Sequence, residues 1–177
     1  MIAKLRELPP VCLGIALVRI LTGSLKLSRR YRGDTIQMEE GSLFRIFRHI
    51  ILIRKHTTVD PHTVNTPCVF IVSFKFSKLS HKANKIASLI PMMIIAGFPG
   101  FEQKIYAVNP DNGYWQGMYQ WGSLDYLEDY KRAFVYRMMN KRAIPGSIQT
   151  MQWKDQTLDN FIQHYTGKQF DTNKNQK

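Results

Sequence analysis

A chain of 177 residues, 44% of them apolar, is long enough to bury one substantial core, and we expect a single main domain. Its formal net charge of +12 indicates an anionic partner, such as nucleic acid, a lipid surface or an acidic ligand. Cys12 and Cys68 lie in apolar runs without metal-ligand spacing, which argues against a disulfide framework and favours a cytoplasmic protein.

Residues 1–65 are predicted to form an N-terminal extension packed on the main domain. We expect a basic helix over residues 11–28, then two strands joined at Glu40 and Gly41. The uncharged run from Leu8 to Val18 is shorter than the ~18 residues needed to span a bilayer.

Two interpretations of residues 11–32 remain open. The helix could pack on the body of the protein, or it could dock on an anionic membrane surface or a larger protein complex. The protein would then be cytoplasmic, or peripheral to the membrane.

Residues 66–165 show the order strand, helix, strand, strand, helix, strand. The strands are expected at 68–76, 101–108, 114–121 and 147–153, with the helices beginning after the N-cap residues Ser80 and Ser123. This order predicts an α+β, ferredoxin-like βαββαβ fold, with both helices on one face of an antiparallel sheet. A short helix, "TLDNFIQHY", follows, and residues 166–177 are expected to form a disordered tail.

Three segments carry a family resemblance: "GFPGFEQKIYAVNPDNGYWQGMYQW", "SLDYLEDYKRAF" and "IPGSI". Over about residues 66–160 the chain resembles the dimeric α/β-barrel superfamily, and more narrowly its small monooxygenase-like members. The resemblance implies a homodimer whose two sheets face each other, with a pocket between each sheet and its own helices. It also implies oxidation of phenols or quinones without metal or flavin in several relatives, and haem binding in others.

The aromatic residues of the predicted hairpin suggest the wall of a pocket. Because side chains alternate across a strand, Trp115, Gly117, Tyr119 and Trp121 share one face. Lys104 and Tyr106 lie together on the preceding strand, so we expect a slab of rings with a lysine beside it.

On the second helix, Tyr126, Tyr130, Ala133 and Arg137 follow helical spacing and are predicted to face that slab. The space between would hold a flat, partly anionic ligand of bicyclic size, with Arg137 or Lys104 stabilising a phenolate. The candidate catalytic residues are Arg137, Lys104 and His81, and the candidate ligand-binding residues are Tyr106, Trp115, Tyr119, Trp121 and Tyr130. The alternative is that these rings are ordinary core, since aromatic residues dominate cores and strands.

Two functions fit these features. The first is a cofactor-independent, monooxygenase-like enzyme that acts on a hydrophobic, aromatic small molecule. The second is a non-catalytic binding or assembly protein that uses the barrel as a scaffold. The five histidines are scattered, so we expect no metal site, whereas one histidine could still serve haem. The basic residues belong to no recognised nucleic-acid-binding module, so we do not expect nucleic acid as a partner.

Overall fold

The computed structural model describes residues 5–53, 66–77 and 80–166. The tail predicted for residues 166–177 lies, beyond Thr166, outside the described residues. The elements in chain order are α1 (Pro9–Leu21), β1 (Leu25–Ser28), β2 (Thr35–Gln37), β3 (Leu43–Leu52), β4 (Cys68–Phe74), α2 (His81–Ala87), α3 (Leu89–Gly97), β5 (Phe101–Val108), β6 (Trp115–Trp121), α4 (Leu124–Arg132), α5 (Phe134–Arg142), β7 (Gln149–Trp153) and α6 (Leu158–Thr166).

The strands form one antiparallel sheet in the order β1-β3-β5-β6-β4-β7, with β2 paired to β3. Its β5-β6-β4-β7 part, with helices between β4 and β5 and between β6 and β7, is the predicted ferredoxin-like arrangement. The N-terminal helix and hairpin are also confirmed, and β3 extends the sheet beyond β5. The turn between β5 and β6 is closed by Asn109, whose Oδ1 accepts hydrogen bonds from the backbone N–H groups of Asp111 and Asn112.

Helices α1 to α5 accompany one face of the sheet, which we call the first face. Its buried side chains include Phe70, Tyr106 and Trp121, and they share one core with Cys12 and Ala16 of α1. The helix starts follow from sequence, since Ser80 and Ser123 accept hydrogen bonds from backbone N–H groups three residues later.

The second face of the sheet is covered by this chain itself. Ile71, Ile105 and Met118 are fully buried there against α6 and against residues 31–38. Gln120 of β6 accepts a hydrogen bond from the backbone N–H of Leu158 at 2.7 Å, which fixes the start of α6. The sheet-to-sheet dimer implied by the resemblance needs this face open, so that arrangement does not fit; homodimer formation itself stays a prediction.

The helix predicted over residues 11–28 is wrong at its C-terminal end. The helix stops at Leu21, and Gly23 adopts a φ of +69°, a conformation that ends helices. Residues 25–28 instead form a strand that pairs with β3, with Leu25 opposite Leu52 and Leu27 opposite Ile50.

Each helix of the βαββαβ unit is split in two. From the sequence, Pro91 predicts a kink late in the first helix, whereas the break in the second helix was not predicted. The first divides at Ser88, so that Pro91 falls in the opening turn of α3, where a missing N–H costs little. Helical spacing of the apolar residues predicts Ile86 and Ile90 on the buried face of one continuous helix, but the split leaves them 71% and 66% exposed. The second divides at Ala133, whose ψ of 158° is extended.

Over the described ranges, the helices are all too short or too polar to cross a bilayer.

Candidate functional site

A cavity of about 60 Å³ lies between the first face of the sheet and helices α3 and α5. Rings and two cations border it on the sheet side and at one end, and an aliphatic wall of Pro91, Ile95, Val135, Met138 and Met139 borders it on the helix side. The polar or aromatic lining residues include Lys104, Tyr106, Trp115, Tyr119, Tyr130 and Arg142. A cavity therefore lies between the sheet and its own helices, where the resemblance implies a pocket.

The register between β5 and β6 positions this lining. Lys104 lies opposite Tyr119, and Tyr106 lies opposite Gly117 rather than opposite a ring. A Cβ atom on Gly117 would come within 2.9 Å of Cε2 of Tyr119, so the missing side chain leaves room for that ring. Tyr106 and Tyr119 thereby flank Lys104 on the same face.

Lys104 is a buried amine surrounded by rings. It is 5% exposed, and its Nζ atom lies 3.9 Å from the ring centroid of Tyr106 and 4.2 Å from that of Tyr119. Burial lowers the pKa of its ammonium well below the ordinary value, and the Arg48 guanidinium lowers it further. Within the described part of the chain, no carboxylate borders the cavity and no ion pair to Lys104 is found.

Two arginines stand near the cavity, and the sequence analysis identified neither. Arg142, at the end of α5, donates to Oδ1 of Asn84 at 3.1 Å and lies 4.9 Å from the Phe76 ring centroid. Arg48 lies 5.4 Å from the Tyr106 ring centroid and donates to Ser88 and to the carbonyl of Lys85. The only available signal for Arg142 was its position in the last helical turn, which is common for any cation.

Tyr106 adds an unused polar group to the site. Its hydroxyl is buried without a hydrogen-bond partner in the described structure. Burial is the largest cause that raises the pKa of this hydroxyl, so it is a neutral donor at physiological pH. A ligand oxygen in the cavity could accept from it.

Tyr130 of the second helix is in contact with the aromatic slab of the sheet, where an open space was predicted. The Tyr130 ring centroid is 4.8 Å from that of Trp121 and 5.4 Å from that of Tyr119, and the Tyr130 hydroxyl donates to the Tyr119 hydroxyl at 3.2 Å. Trp121 is fully buried among Phe98, Phe101 and Tyr130 and does not line the cavity. The prediction of Trp121 as a pocket wall is therefore wrong.

Two predicted catalytic residues also lie away from the cavity. Arg137 is exposed, because the break at Ala133 disrupts the stripe that was meant to carry it inward. His81 stacks on the outer side of Trp115 at 5.9 Å, and its Nδ1 accepts a hydrogen bond from the indole N–H at 3.0 Å. His81 thus orients Trp115 without bordering the cavity.

The volume excludes a bicyclic ligand in this conformation, contrary to expectation. A cavity of roughly 150 Å³ is needed to admit benzene, so even one ring requires lining side chains to move. Phe76, Met138 and Met139 are only partly buried, and methionine is the most adaptable apolar side chain. Enlargement of the cavity would therefore occur on the α5 side.

The described histidines do not fit an axial haem ligand in this cavity. His49 is buried and hydrogen-bonded to Gln103, His81 holds Trp115, and His164 belongs to α6. His56 and His62 lie outside the described residues. No group of three His, Cys, Asp or Glu side chains converges in the described ranges as metal ligands do.

No protein-family model and no curated protein matches the sequence. Matching solved structures include an anthrone oxidase-like protein, at 11% identity and TM-score 0.43, over 66% of this chain and 57% of that one. They also include a monooxygenase from the ActVA-Orf6 gene of Streptomyces coelicolor with nanaomycin D, at 17% identity and TM-score 0.41, over 56% of this chain and 96% of that one.

A third match is a ferredoxin-fold protein from Listeria monocytogenes related to antibiotic biosynthesis monooxygenases, at 10% identity and TM-score 0.46. It covers 80% of this chain and 89% of that one. This chain spans less than two thirds of the anthrone oxidase-like protein. The third match is described as a ferredoxin-fold protein, and the strand order of this chain is by itself that of a ferredoxin-like protein.

Proposed function

We propose that the cavity binds a small acidic aromatic molecule, a phenol or an enol, and that the protein is a cofactor-independent, monooxygenase-like enzyme. One observation carries this proposal: the two ionisable lining residues with charged-type side chains, Lys104 and Arg142, are both basic, and no carboxylate in the described chain borders the cavity beside them. A core that only needed volume would accept leucine or methionine in place of Lys104.

The ligand class follows from the lining. Trp115 and Tyr106 offer ring faces, and Lys104 with Arg142 offers positive charge to a phenolate. An anionic ligand supplies the counter-charge that Lys104 lacks, so binding would restore the ammonium form. The small volume favours a single-ring compound over the polycyclic ligand expected from the sequence.

The chain's own residues suggest a role for each group. In its amine form, which burial favours, Lys104 takes the proton from the ligand hydroxyl, and the resulting ammonium, together with Arg142, stabilises the anion. A carbon of this anion then forms a bond to dioxygen, and the Lys104 ammonium returns its proton to the terminal peroxide oxygen. The O–O bond of the hydroperoxide then breaks, and water leaves with the hydrogen of that carbon. The balance is one phenol and one dioxygen consumed, with one quinone and one water formed.

The test compares Lys104→Met with Lys141→Met. The second variant is the control, because it makes the same substitution at an exposed lysine outside the cavity lining. Calorimetric titration with phenol and 1,4-hydroquinone is combined with an oxygen electrode. We expect wild type and Lys141→Met to bind and to consume oxygen alike, and Lys104→Met to bind at least tenfold more weakly. Equal binding by all three proteins would contradict the proposal that the ligand binds in the cavity beside Lys104.

An absorption spectrum of the purified protein checks the cofactor part separately. We expect no Soret or flavin band, and a stoichiometric band of either kind would replace the cofactor-independent mechanism. Ligand binding without oxygen uptake would favour the alternative function, a non-catalytic binding or assembly protein.

A further inference from the structure

A second pocket adjoins the cavity where β4 ends. It is open at the surface, has a volume of about 220 Å³, and is bordered in part by His81, Asn84 and Ile144. Phe76 and Trp115 border both this space, which we call the surface pocket, and the cavity. These two rings therefore form the partition between the cavity and the surface pocket.

Trp115 is the fixed part of this partition. It is 4% exposed, and its indole N–H donates a hydrogen bond to Nδ1 of His81 at 3.0 Å. Its ring also meets the Phe47 ring edge-on, with the centroids 5.2 Å apart. Movement of Trp115 would break the hydrogen bond and leave a buried N–H group unpaired, which is costly. We therefore expect Trp115 to stay in place when a ligand binds.

Phe76 is the part of the partition that can move. Its ring is only partly buried, and its centroid lies 4.8 Å from that of Phe74 and 5.1 Å from that of Trp115. The Arg142 guanidinium lies 4.9 Å from the same centroid. These contacts are packing contacts without hydrogen bonds, and the backbone is held separately by a bridge to Ala143. The ring can therefore change rotamer while the end of the strand keeps its position.

Rotation of the Phe76 ring supplies the volume that the cavity lacks. At about 60 Å³, the cavity alone is smaller than the roughly 150 Å³ that benzene needs. The surface pocket adds about 220 Å³ on the other side of the ring. The joined space therefore has room for one ring with a short chain attached.

His81 gives the surface pocket a hydrogen-bond donor. Because an indole N–H only donates, Nδ1 of His81 accepts, and the neutral imidazole carries its proton on Nε2. This Nε2 atom lies beside Gly113, where an added Cβ would be 3.7 Å away, and no described residue accepts a hydrogen bond from it. The described residues that border the pocket include no carboxylate, and the ammonium of Lys75 lies over the Tyr114 ring, 4.8 Å from its centroid. An oxygen atom of a ligand is the acceptor that suits this donor.

We propose that the cavity and the surface pocket are two compartments of one ligand site, which join when the Phe76 ring rotates aside. The phenol ring of the ligand occupies the cavity beside Lys104. A short chain with an acceptor oxygen, such as a carbonyl, extends into the surface pocket and accepts a hydrogen bond from Nε2–H of His81. This inference rests on the proposed function, because the cavity binds the phenol end of the ligand.

The first experiment fills the surface pocket of the full chain. Ile144→Trp enlarges a side chain that borders this pocket, and Phe134→Trp is the control, because it adds the same residue at an exposed position that borders neither space. Calorimetric titration compares phenol with para-butylphenol, after circular dichroism has shown that each variant is folded. We expect Ile144→Trp to weaken the binding of para-butylphenol at least tenfold more than that of phenol. The control should bind both ligands as the wild type does.

The second experiment removes the donor from the surface pocket. His81→Phe keeps an aromatic ring beside Trp115 but has no N–H group. Its effect is measured on para-butylphenol and on the ketone analogue, in which a carbonyl replaces one methylene of the butyl chain. Both ligands experience any change at Trp115, so the difference between them isolates the hydrogen bond. We expect the ketone to lose at least threefold more affinity than para-butylphenol, as for one hydrogen bond.

The third experiment opens the partition with Phe76→Ala, and Phe134→Ala is its control. Stopped-flow fluorescence should show phenol binding and leaving Phe76→Ala at least tenfold faster than the wild type or the control.

The outcomes separate this inference from the proposed function. If phenol binds the wild type, the inference is overturned by an equal effect of Ile144→Trp on both ligands, by equal losses in His81→Phe, or by unchanged phenol exchange in Phe76→Ala. The proposed function would survive each of these results. If none of the ligands binds the wild type, the proposed function is overturned, and this inference with it.

Discussion

Lys104 is a single buried residue that lowers the stability of the fold. Its amine lacks a hydrogen-bond or ion-pair partner in the described structure, although it is 5% exposed. Burying an unpartnered polar group costs about 1–3 kcal/mol. Such a residue is more easily explained by binding than by folding, because stability is commonly given up at functional sites.

We therefore predict that Lys104→Met raises the free energy of unfolding at pH 7 by about 1–3 kcal/mol. The lysine is charged in the unfolded chain, whereas burial lowers its pKa in the native state. The unfolded state thus binds more protons than the native state. The free energy of unfolding of the wild type therefore increases as the pH rises toward the ordinary lysine pKa. Denaturant titrations at pH 7 and pH 10 should show the advantage of the variant shrinking; a pH-independent loss of stability in the variant would contradict this.

Gly117 is the second residue with a specific prediction. Gly117→Ala puts a methyl group 2.9 Å from the Tyr119 ring, so the ring must move and its contact with Tyr130 weakens. We expect a loss of about 1–3 kcal/mol, as for other overpacked cores, and a change in the near-ultraviolet circular dichroism. Gly14→Ala is the control, since nothing lies within 4 Å of its added Cβ.

For single residues, the sequence predicted which face of the sheet a side chain is on, but not which other side chains it contacts. Strand alternation correctly put Trp115, Tyr119 and Trp121 on one face, because the pleat alone decides it. Which of those rings lines the cavity depends on where the helices end. The helix ends are set by tertiary packing and cannot be predicted from a short stretch of sequence. Trp121 and Arg137 were assigned to the pocket for this reason.

At the scale of elements, the contact between α1 and α3 depends on Gly97. We predict that Gly97→Ala separates the two helices, because its Cβ would lie 1.8 Å from the Cys12 carbonyl oxygen. Burial now raises the pKa of the Cys12 thiol to about 11, which keeps it unreactive. Labelling with a thiol reagent should become faster at Cys12 in the variant, while Cys68 serves as the internal reference; unchanged labelling would show that the helices adapt.

The strands and their order were predictable, whereas the helix ends were not. Apolar runs and the Asn109 turn define β5 and β6 from local sequence. The extended residues Leu25–Ser28 and Ala133 depend instead on a partner strand and on packing, which override helical periodicity. The splitting of the second helix is what moved Arg142 toward the cavity in place of Arg137.

At the scale of the whole molecule, α6 closes the second face of the sheet. Phe161 is 2% exposed there, and we predict that Phe161→Ala lowers the free energy of unfolding by about 3–5 kcal/mol. Far-ultraviolet and near-ultraviolet probes should report one shared transition if α6 belongs to the same cooperative unit. A separate early transition in wild type would show that α6 docks independently.

The sequence indicated α6 as a short helix but not its destination. Its apolar residues Leu158, Phe161 and Ile162 were visible, yet the family resemblance suggested that a partner's sheet would cover the second face. The deciding contacts join residues more than a hundred positions apart, such as the Tyr31 hydroxyl with Asp159 at 2.6 Å. Patterns within a short window carry no information on such pairings.

Closure of the second face by α6 and residues 31–38 makes its burial intramolecular. In an assembly where a neighbouring subunit does this, dilution exposes the apolar surface and weakens the fold by mass action. Here both partners share one polypeptide, so the half-time of refolding for this part should not vary with protein concentration. The sheet would remain shielded even when only a few molecules are present in a cell.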